Sequence, residues 1–336
     1  MSSRFYRLPD MLAGCPQKSG STNVNAQVAK VQVHRNCGNS CLIAGNNDKE
    51  CKSAQAAITA SYCYLQADAK AFRAIVDFFK AGFILETITD TATVEDARNY
   101  AFMYMTAFGN PVEGIKSKHP FVKLISSMAI SVNELLGDFH RRDFLDANST
   151  FAHSIIQEAL DRKATQDTNA VITVETYLVT RKASIAIVPA LVLARSAGSL
   201  NICSELLNES SVRGMEEATV DLILISNDIY SYKKELAEDN ASHNLLTVLM
   251  QDPQTEQLDL QGAINHAGHL FESALAHFKA CRTKLPSVDE ETNRMLAEYS
   301  AAMVDLFVGG IEWSLTCPRY SIFDSEENRQ KGLMLL

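Results

Sequence analysis

The sequence is poor in the residues that interrupt helices and in the patterns that build sheets. Its 336 residues contain only 15 Gly and 8 Pro, and no stretch alternates regularly between apolar and polar side chains. With 46% hydrophobic residues, this composition argues against an all-β fold. It favours one compact, all-α domain.

Basic residues are also in short supply. The chain has 31 Lys and Arg against 40 Asp and Glu, which gives a formal net charge of −9. Such a chain offers no broad positive field to nucleic acid or to an anionic membrane surface. Nucleic acid is therefore not an expected partner, and a phosphorylated ligand would need local cations or metal ions.

Long apolar runs and an N-terminal secretory core are absent as well. The longest apolar run, ASIAIVPALVLA, spans about 12 residues and contains Pro189, which is too short for a membrane span. The 8 cysteines show no CxxC spacing, as expected for reduced thiols. Cys37, Cys41 and His34 favour a loop over a zinc site. We expect a cytoplasmic protein.

The chain divides into an irregular start and a long helical remainder. Residues 1–50, rich in Gly, Ser and Asn, predict an N-terminal arm, and residues 51–336 predict one helical domain of roughly eight to ten helices. One stripe at helical spacing illustrates the pattern: Phe121, Leu124, Ile125, Met128, Val132, Leu135, Leu136 and Phe139.

A short polar motif, NDIYSYKKE, follows the apolar run Val220–Ile225. Helical spacing places Asn227, Ser231 and Glu235 on one face, where an amide oxygen, a hydroxyl and a carboxylate converge. Oxygen ligands of this kind suit Mg²⁺, and a buried carboxylate without a partner would be costly. A solvated polar face is the alternative interpretation.

NDIYSYKKE resembles the second metal-binding motif of class I terpene synthases, in its fungal form. HNLLTVLM downstream and RFYRLPDML near the start are also similar to fungal sesquiterpene synthases. The resemblance implies that Asn227, Ser231 and Glu235 bind Mg²⁺ and that Lys234 contacts a diphosphate. It also implies a single α-helical bundle around an apolar active-site cavity.

Two further landmarks follow from the resemblance. In TYLVTRKASIA, Arg181 corresponds to the arginine that senses the diphosphate, with Ser184 and Ile185 at a helix break beyond it. Near the end of the domain, Arg319 and Tyr320 correspond to a pair that hydrogen-bonds the diphosphate. A helix-surface charge is the alternative for Arg181.

The aspartate-rich motif of the family is altered in this sequence, which reads FILETITD. Glu86 stands in place of the first Asp, Thr87 in place of the second acidic residue, and Asp90 remains. The two acids could still bind Mg²⁺, although the extra methylene of Glu displaces its carboxylate by on the order of 1.5 Å. Two solvated acids at a helix end are the alternative. Phe83 and Trp313 are candidates for the aromatic wall of the pocket.

The resemblance implies a sesquiterpene synthase that ionises farnesyl diphosphate and releases a terpene hydrocarbon or alcohol. It implies Mg²⁺, three ions per active site, with Mn²⁺ as a substitute, and it makes a homodimer an expected assembly. The altered motif leaves a second hypothesis, a degenerate relative that binds a prenyl diphosphate or terpenoid without efficient turnover. Motifs of zinc proteases, hydrolases and nucleotide-binding enzymes are missing from the sequence.

Overall fold

Helices dominate the part of the chain that the computed structural model describes, namely residues 4–26, 56–168, 171–255 and 257–336. Ten helices in these ranges exceed six residues, in line with the eight to ten predicted, and three shorter ones join them. The helices are α1 Ala56–Cys63, α2 Ala69–Thr89, α3 Val94–Gly109, α4 Pro111–Gly114, α5 Pro120–Thr168, α6 Val174–Ser184, α7 Ile187–Ala197, α8 Ser204–Leu207, α9 Ser210–Ala237, α10 Leu245–Gln251, α11 Leu260–Arg282, α12 Glu290–Thr316 and α13 Glu326–Lys331, with a 3₁₀ turn at Ala241–His243. The all-α prediction is confirmed.

Two short strands form a ribbon that the sequence did not reveal. Strand β1 (Phe5–Arg7) pairs antiparallel with β2 (Leu333–Leu335), and the side chain of Gln261 on α11 bonds both backbone groups of Arg7 at 2.9 Å. Three residues are too few to show an alternating pattern. Residues 4–26 of the predicted arm are therefore anchored to the bundle, whereas Cys37, Cys41 and His34 lie outside the described residues.

Close approach of two helices requires a glycine in α12. A Cβ at Gly309 would lie 2.2 Å from the carbonyl oxygen of Tyr62 in α1, a distance at which no side chain fits. At the next residue, Gly310, a Cβ would have nothing within 4 Å. Gly309 thus sets how closely α1 and α12 pack, and with it the width of one wall of the domain.

The long helix α5 bends at Gly137, whose backbone angles of φ 57° and ψ −160° are not helical. Five residues of the predicted apolar stripe are buried, namely Phe121, Ile125, Met128, Val132 and Leu136, and Leu124 and Leu135 are half-buried. Phe139, in contrast, is 52% exposed, and His140 takes the buried position. Including Phe139 in the stripe was therefore wrong. The bend shifts the helical phase by one residue, which periodicity alone does not predict.

A break separates α6 from α7 at Ala186, a non-glycine residue in the left-handed region with φ 58°. Within the described ranges, Val174–Ala197 is the stretch whose length and hydropathy would suit a membrane span, and half of its most apolar window is buried in the bundle. The break divides it into two helices of 11 residues each. Either is too short to cross a bilayer.

Candidate active site

A cavity of about 220 Å³ lies between α2, α5, α6, α7, α9 and α12. Its wall combines aromatic and aliphatic side chains with a polar group of acids, amides and two arginines. Ten of the thirteen site residues predicted from the sequence line it, and they are Phe83, Glu86, Asp90, Arg181, Ser184, Ile185, Asn227, Glu235, Trp313 and Tyr320. Ser231, Lys234 and Arg319 are not among the lining residues, although Arg319 is bonded to Glu86 of the lining.

The polar motif on α9 points its oxygen atoms toward one side of the cavity. Glu235 accepts a hydrogen bond from Nδ2 of Asn244 at 2.9 Å. Burial, together with the charge of Asp228, raises the pKa of Glu235. The buried hydroxyl of Ser231 has no hydrogen bond of ordinary geometry to the described residues. This oxygen-only set, with Asn227, fits a hard divalent cation, which would offset the buried charge.

Arg181 on α6 is bonded directly to the motif on α9. Its Nη2 donates to Oδ1 of Asn227 at 2.8 Å and to Oδ1 of Asp228 at 3.0 Å. The other carboxylate oxygen of Asp228 accepts from the Tyr177 hydroxyl and from the backbone N–H of Leu245. Burial alone would lower the pKa of Arg181, but Asp228 and the further acidic groups around it, Tyr177, Glu158 and Glu235, together outweigh burial and raise that pKa. Arg181 is therefore not the surface charge of the alternative interpretation.

The helix break after α6 is fixed by Glu158 of α5. The Ser184 hydroxyl donates to Oε1 of Glu158, and the same oxygen lies 3.9 Å from Nη1 of Arg181 and 3.6 Å from Nδ1 of His243. Ile185 is the C-terminal cap of α6 and lines the cavity. Glu158 thus joins the break, the arginine and the loop after α9, and sequence reasoning missed it.

The loop between α9 and α10 supplies two more residues that were not singled out. Asn244 bridges the backbone carbonyl of Asp228 at 2.8 Å and the Glu235 carboxylate, so it orients the end of the motif. His243 lies 3.6 Å from Asp161 as well as from Glu158. Their signal was the HNLL stretch, which the resemblance already included without assigning roles.

The Arg-Tyr pair meets both metal motifs. Nη2 of Arg319 lies 2.9 Å from Oε1 of Glu86. The Tyr320 hydroxyl accepts a hydrogen bond from Nδ2 of Asn227 at 2.8 Å. Asn227 is therefore bonded on one end to Arg181 and on the other to Tyr320, so three motifs that are far apart in the sequence converge on one side chain.

Aromatic rings continue the wall below this polar group. Phe83 stacks on Trp313 with ring centroids 6.0 Å apart, and Trp313 makes an edge contact with Tyr320 at 5.4 Å. Phe79 packs beside Phe83 at 6.1 Å. The Arg319 guanidinium lies 5.5 Å from the centroid of the Phe83 ring. Phe83 and Trp313 thus lie in the wall of the cavity, and their contact with a substrate stays a prediction.

The acids of α2 differ in their electrostatic surroundings. Desolvation would raise the pKa of Glu86, but the charges of Arg319, Lys234 and Arg181 together outweigh it, so that pKa is lowered. Burial and the charge of Glu86 raise the pKa of Asp90 well above its ordinary value. The hydroxyl of Thr87 donates to the Phe83 carbonyl at 2.8 Å and is turned onto its own helix. The α2 acids are therefore not a matched pair of carboxylates.

Lys234 lies on the side of α9 that faces the α2 acids. Its side chain is 9% exposed, and its Nζ is 3.0 Å from Glu238. Burial and the charge of Arg319 would lower the pKa of Lys234, but the carboxylates of Glu86, Asp90 and Glu238 together outweigh them and raise it. The ammonium group thus adds positive charge where the two metal motifs face each other.

No three His, Cys, Asp or Glu side chains within the described ranges are close enough together to hold a metal ion by themselves. The α9 motif fits a divalent cation because its Ser231 hydroxyl is buried without a hydrogen bond of ordinary geometry to the described residues, and its Glu235 carboxylate is buried near the charge of Asp228. The α2 side fits one less well, since Glu86 is bonded to Arg319. Each half of the predicted metal site thus has one residue bonded to an arginine, Asn227 to Arg181 and Glu86 to Arg319. The α2 half differs because Thr87, in place of an acid, turns its hydroxyl onto its own helix.

Residues 77–277 match the family model described as terpene synthase family 2, C-terminal metal binding. This segment contains the altered motif of α2, the helix break and the motif of α9. It covers more than half of the chain.

Individual proteins with similar sequences come from fungi. Sesquiterpene synthase Agr1 of Cyclocybe aegerita is 24% identical over 93% of this chain and 88% of its own length. Alpha-muurolene synthase of Coprinopsis cinerea is 25% identical over 100% of this chain and 78% of its own length. Among solved structures, linalool/nerolidol synthase from Streptomyces clavuligerus superposes with a TM-score of 0.74 at 18% identity, covering 90% of this chain and 98% of that one. At 18% identity, the similarity to the Streptomyces enzyme shows a shared fold and nothing more.

Proposed function

The chain belongs to terpene synthase family 2, and on that premise we propose that it is a sesquiterpene synthase acting on farnesyl diphosphate. The proposed reaction breaks the bond between the allylic carbon and the diphosphate oxygen, and the carbocation then becomes a terpene hydrocarbon or alcohol. The names of the fungal relatives support the sesquiterpene class. The polar mouth and the aromatic wall of one cavity support the reaction type.

One observation carries the proposal. Asn227 donates to Tyr320 and accepts from Arg181, both at 2.8 Å, so the residues predicted to bind metal and those predicted to bind diphosphate surround the same point. A solvated polar face or an ordinary helix-surface arginine would not bring residues 181, 227 and 320 together. Chance motifs have no reason to converge on one cavity.

The diphosphate would be held by cations and hydroxyls at the cavity mouth. Arg181, Lys234 and Arg319 supply positive charge there, and Tyr320 supplies a hydroxyl. Each arginine can donate two hydrogen bonds to phosphate oxygens in one plane. These groups bind the leaving group and orient it, with the prenyl chain directed toward the aromatic wall.

Divalent metal binding belongs to the family that the chain matches, and we propose Mg²⁺, with Mn²⁺ as a substitute. Asn227, Ser231 and Glu235 would hold it, with Asp90 from the facing helix. Bound Mg²⁺ supplies electrophilic stabilisation of the negative charge that develops on the departing diphosphate. The number of ions, three per site, stays a prediction, and so do Glu86 as a ligand, the homodimer and the cytoplasmic location.

The cavity wall would protect the carbocation. Phe79, Phe83 and Trp313 present ring faces that stabilise positive charge without offering a strong base. Tight aromatic packing also keeps water away until the chain has rearranged. The shape of this wall would then determine which terpene is released.

A degenerate binder is the second candidate, and a specific observation favours it. Glu86 is bonded to Arg319, and Thr87 is turned onto the Phe83 carbonyl, so α2 lacks the acid pair typical of the family. Such a protein would bind a prenyl diphosphate or a terpenoid and release it unchanged.

Gas chromatography with mass spectrometry separates the two candidates. Purified protein is incubated with Mg²⁺ and geranyl, farnesyl or geranylgeranyl diphosphate, beside Glu235→Gln and the control Glu217→Gln, an exposed acid on the same helix. We expect a sesquiterpene from farnesyl diphosphate with wild type and Glu217→Gln, and at least a hundredfold less with Glu235→Gln, on the order of an electrostatic group's contribution. No product from folded wild type with any substrate would favour the binder, and full activity of Glu235→Gln would contradict the site assignment.

A further inference from the structure

The ion pair between Glu86 and Arg319 differs from the role that the resemblance implies for either residue. Oε1 of Glu86 lies 2.9 Å from Nη2 of Arg319, whose side chain is only 2% exposed while that of Glu86 is 46% exposed. The resemblance assigns the carboxylate to metal and the guanidinium to diphosphate. In this structure each is the partner of the other.

The length of the Glu side chain makes this contact possible. An Asp at position 86 would end about 1.5 Å short of the Glu carboxylate, one carbon–carbon bond less. A contact of 2.9 Å would then open to about 4 Å, which exceeds hydrogen-bond distance. The substitution that weakens the resemblance to the family is thus the one that allows the ion pair.

The neighbours of Arg319 on α2 reinforce the contact. The guanidinium lies 5.5 Å from the Phe83 ring centroid, and Phe83 is one helical turn before Glu86. Thr87 keeps its hydroxyl on the Phe83 carbonyl and does not compete. Arg319 is therefore docked on one face of α2 by a ring and a carboxylate, which fix its position at the cavity mouth.

We infer that Glu86 is the positioning residue of Arg319 rather than the leading metal ligand of α2. Glu86 holds the guanidinium over Phe83 until a diphosphate binds and replaces Glu86 as the partner of Arg319. Metal binding then depends mainly on Asn227, Ser231 and Glu235 of α9. This inference rests on the proposed function, because it requires that Arg319 receives a diphosphate.

Inorganic pyrophosphate, titrated calorimetrically with and without metal, tests the inference independently of turnover. The proteins are wild type, Glu86→Gln, Glu86→Asp, Arg319→Gln and the double variant, each checked for folding by circular dichroism. With EDTA present, Glu86→Gln releases Arg319, so pyrophosphate binding should tighten about fivefold. Glu86→Asp should tighten it similarly, because the shorter side chain cannot reach.

The Arg319→Gln background distinguishes pairing from general repulsion. There Glu86→Gln should change metal-free affinity by less than about twofold, since no ion pair is left to break. An equal gain in both backgrounds would mean that Glu86 only repels the anion, and it would overturn the inference. Wild-type affinity in Glu86→Asp would overturn it as well.

Magnesium titrations at fixed pyrophosphate test the metal role. We expect Glu86→Gln to change the Mg²⁺ concentration for half-maximal binding by less than about threefold, and Glu235→Gln to raise it more than about tenfold. A rise in Glu86→Gln as large as that in Glu235→Gln would restore Glu86 as a leading ligand. Wild type that binds no pyrophosphate even with Mg²⁺ would instead refute the proposed function, on which this inference depends.

Discussion

The buried carboxylate of Asp228 gives the most direct test of how the site is held together. It is 1% exposed and accepts hydrogen bonds from Arg181, from the Tyr177 hydroxyl and from the backbone N–H of Leu245. In Asp228→Asn the side chain keeps its size but loses its charge. One of its two acceptor oxygens also becomes an NH₂ donor, which faces at least one existing donor.

The cost follows from these contacts. Breaking a buried ion pair by removing one partner typically costs about 3–5 kcal/mol. The Arg181 side chain is 17% exposed and keeps Asn227 as a partner, so water and that hydrogen bond offset part of the loss. We expect the free energy of unfolding to fall by about 3 kcal/mol, which corresponds to a melting temperature about 4 °C lower for a chain of 336 residues, because the unfolding entropy is about 2 cal/mol/K per residue.

Chemical denaturation of the metal-free protein measures this loss, with Asp221→Asn as the control. Asp221 lies on the same helix and pairs with Lys182 at 2.7 Å, but both side chains are partly exposed. In Asp221→Asn, the free energy of unfolding should therefore fall by less than about 1 kcal/mol. A loss of less than about 1 kcal/mol in Asp228→Asn would refute the view that this carboxylate holds Arg181 in place.

Two further predictions concern packing and pH. Gly309→Ala should destabilise the protein by about 2–4 kcal/mol, because its Cβ would overlap the Tyr62 carbonyl, whereas Gly310→Ala should be neutral or slightly stabilising; equal melting temperatures would contradict the close approach. Because burial and Glu86 raise the pKa of Asp90, its ionised form destabilises the metal-free fold above the ordinary carboxyl pKa. Asp90→Asn should therefore stabilise the metal-free protein at about pH 8, with a gain that shrinks as the pH falls toward about 4, and a gain independent of pH in denaturation curves would exclude this cause.

Helical periodicity predicted the parts of the site that lie on one element. Asn227, Ser231 and Glu235 share a face because a helix returns to nearly the same side every four residues. The apolar run just before them indicated that this face is buried. The break after Ser184, where α6 ends, was implied by the resemblance to the family and not by periodicity. Periodicity failed at Phe139, because Gly137 changes the helical phase there.

Contacts between distant segments could not be read from spacing. Glu158 meets Ser184 and His243 from another helix, and no local pattern distinguishes it from other polar residues of α5. The two three-residue strands form by pairing with each other, although they lie more than 300 positions apart in the chain. Their local propensity does not explain them. Such residues become visible only when the helices are packed.

Both arginines of the proposed diphosphate site are bonded to residues predicted to bind metal, Arg181 to Asn227 and Arg319 to Glu86. Charges this deeply placed would be costly without partners, so the ligand-free site satisfies them internally. A cation bound to Oδ1 of Asn227 would lie close to the Arg181 guanidinium, whose Nη2 is 2.8 Å from the same oxygen, and the two positive charges would repel each other. Metal binding at Asn227 would therefore favour release of Arg181, and the released guanidinium is then available to the diphosphate. The same exchange of partners would couple the binding of metal and diphosphate, which each titration of pyrophosphate against Mg²⁺ can measure.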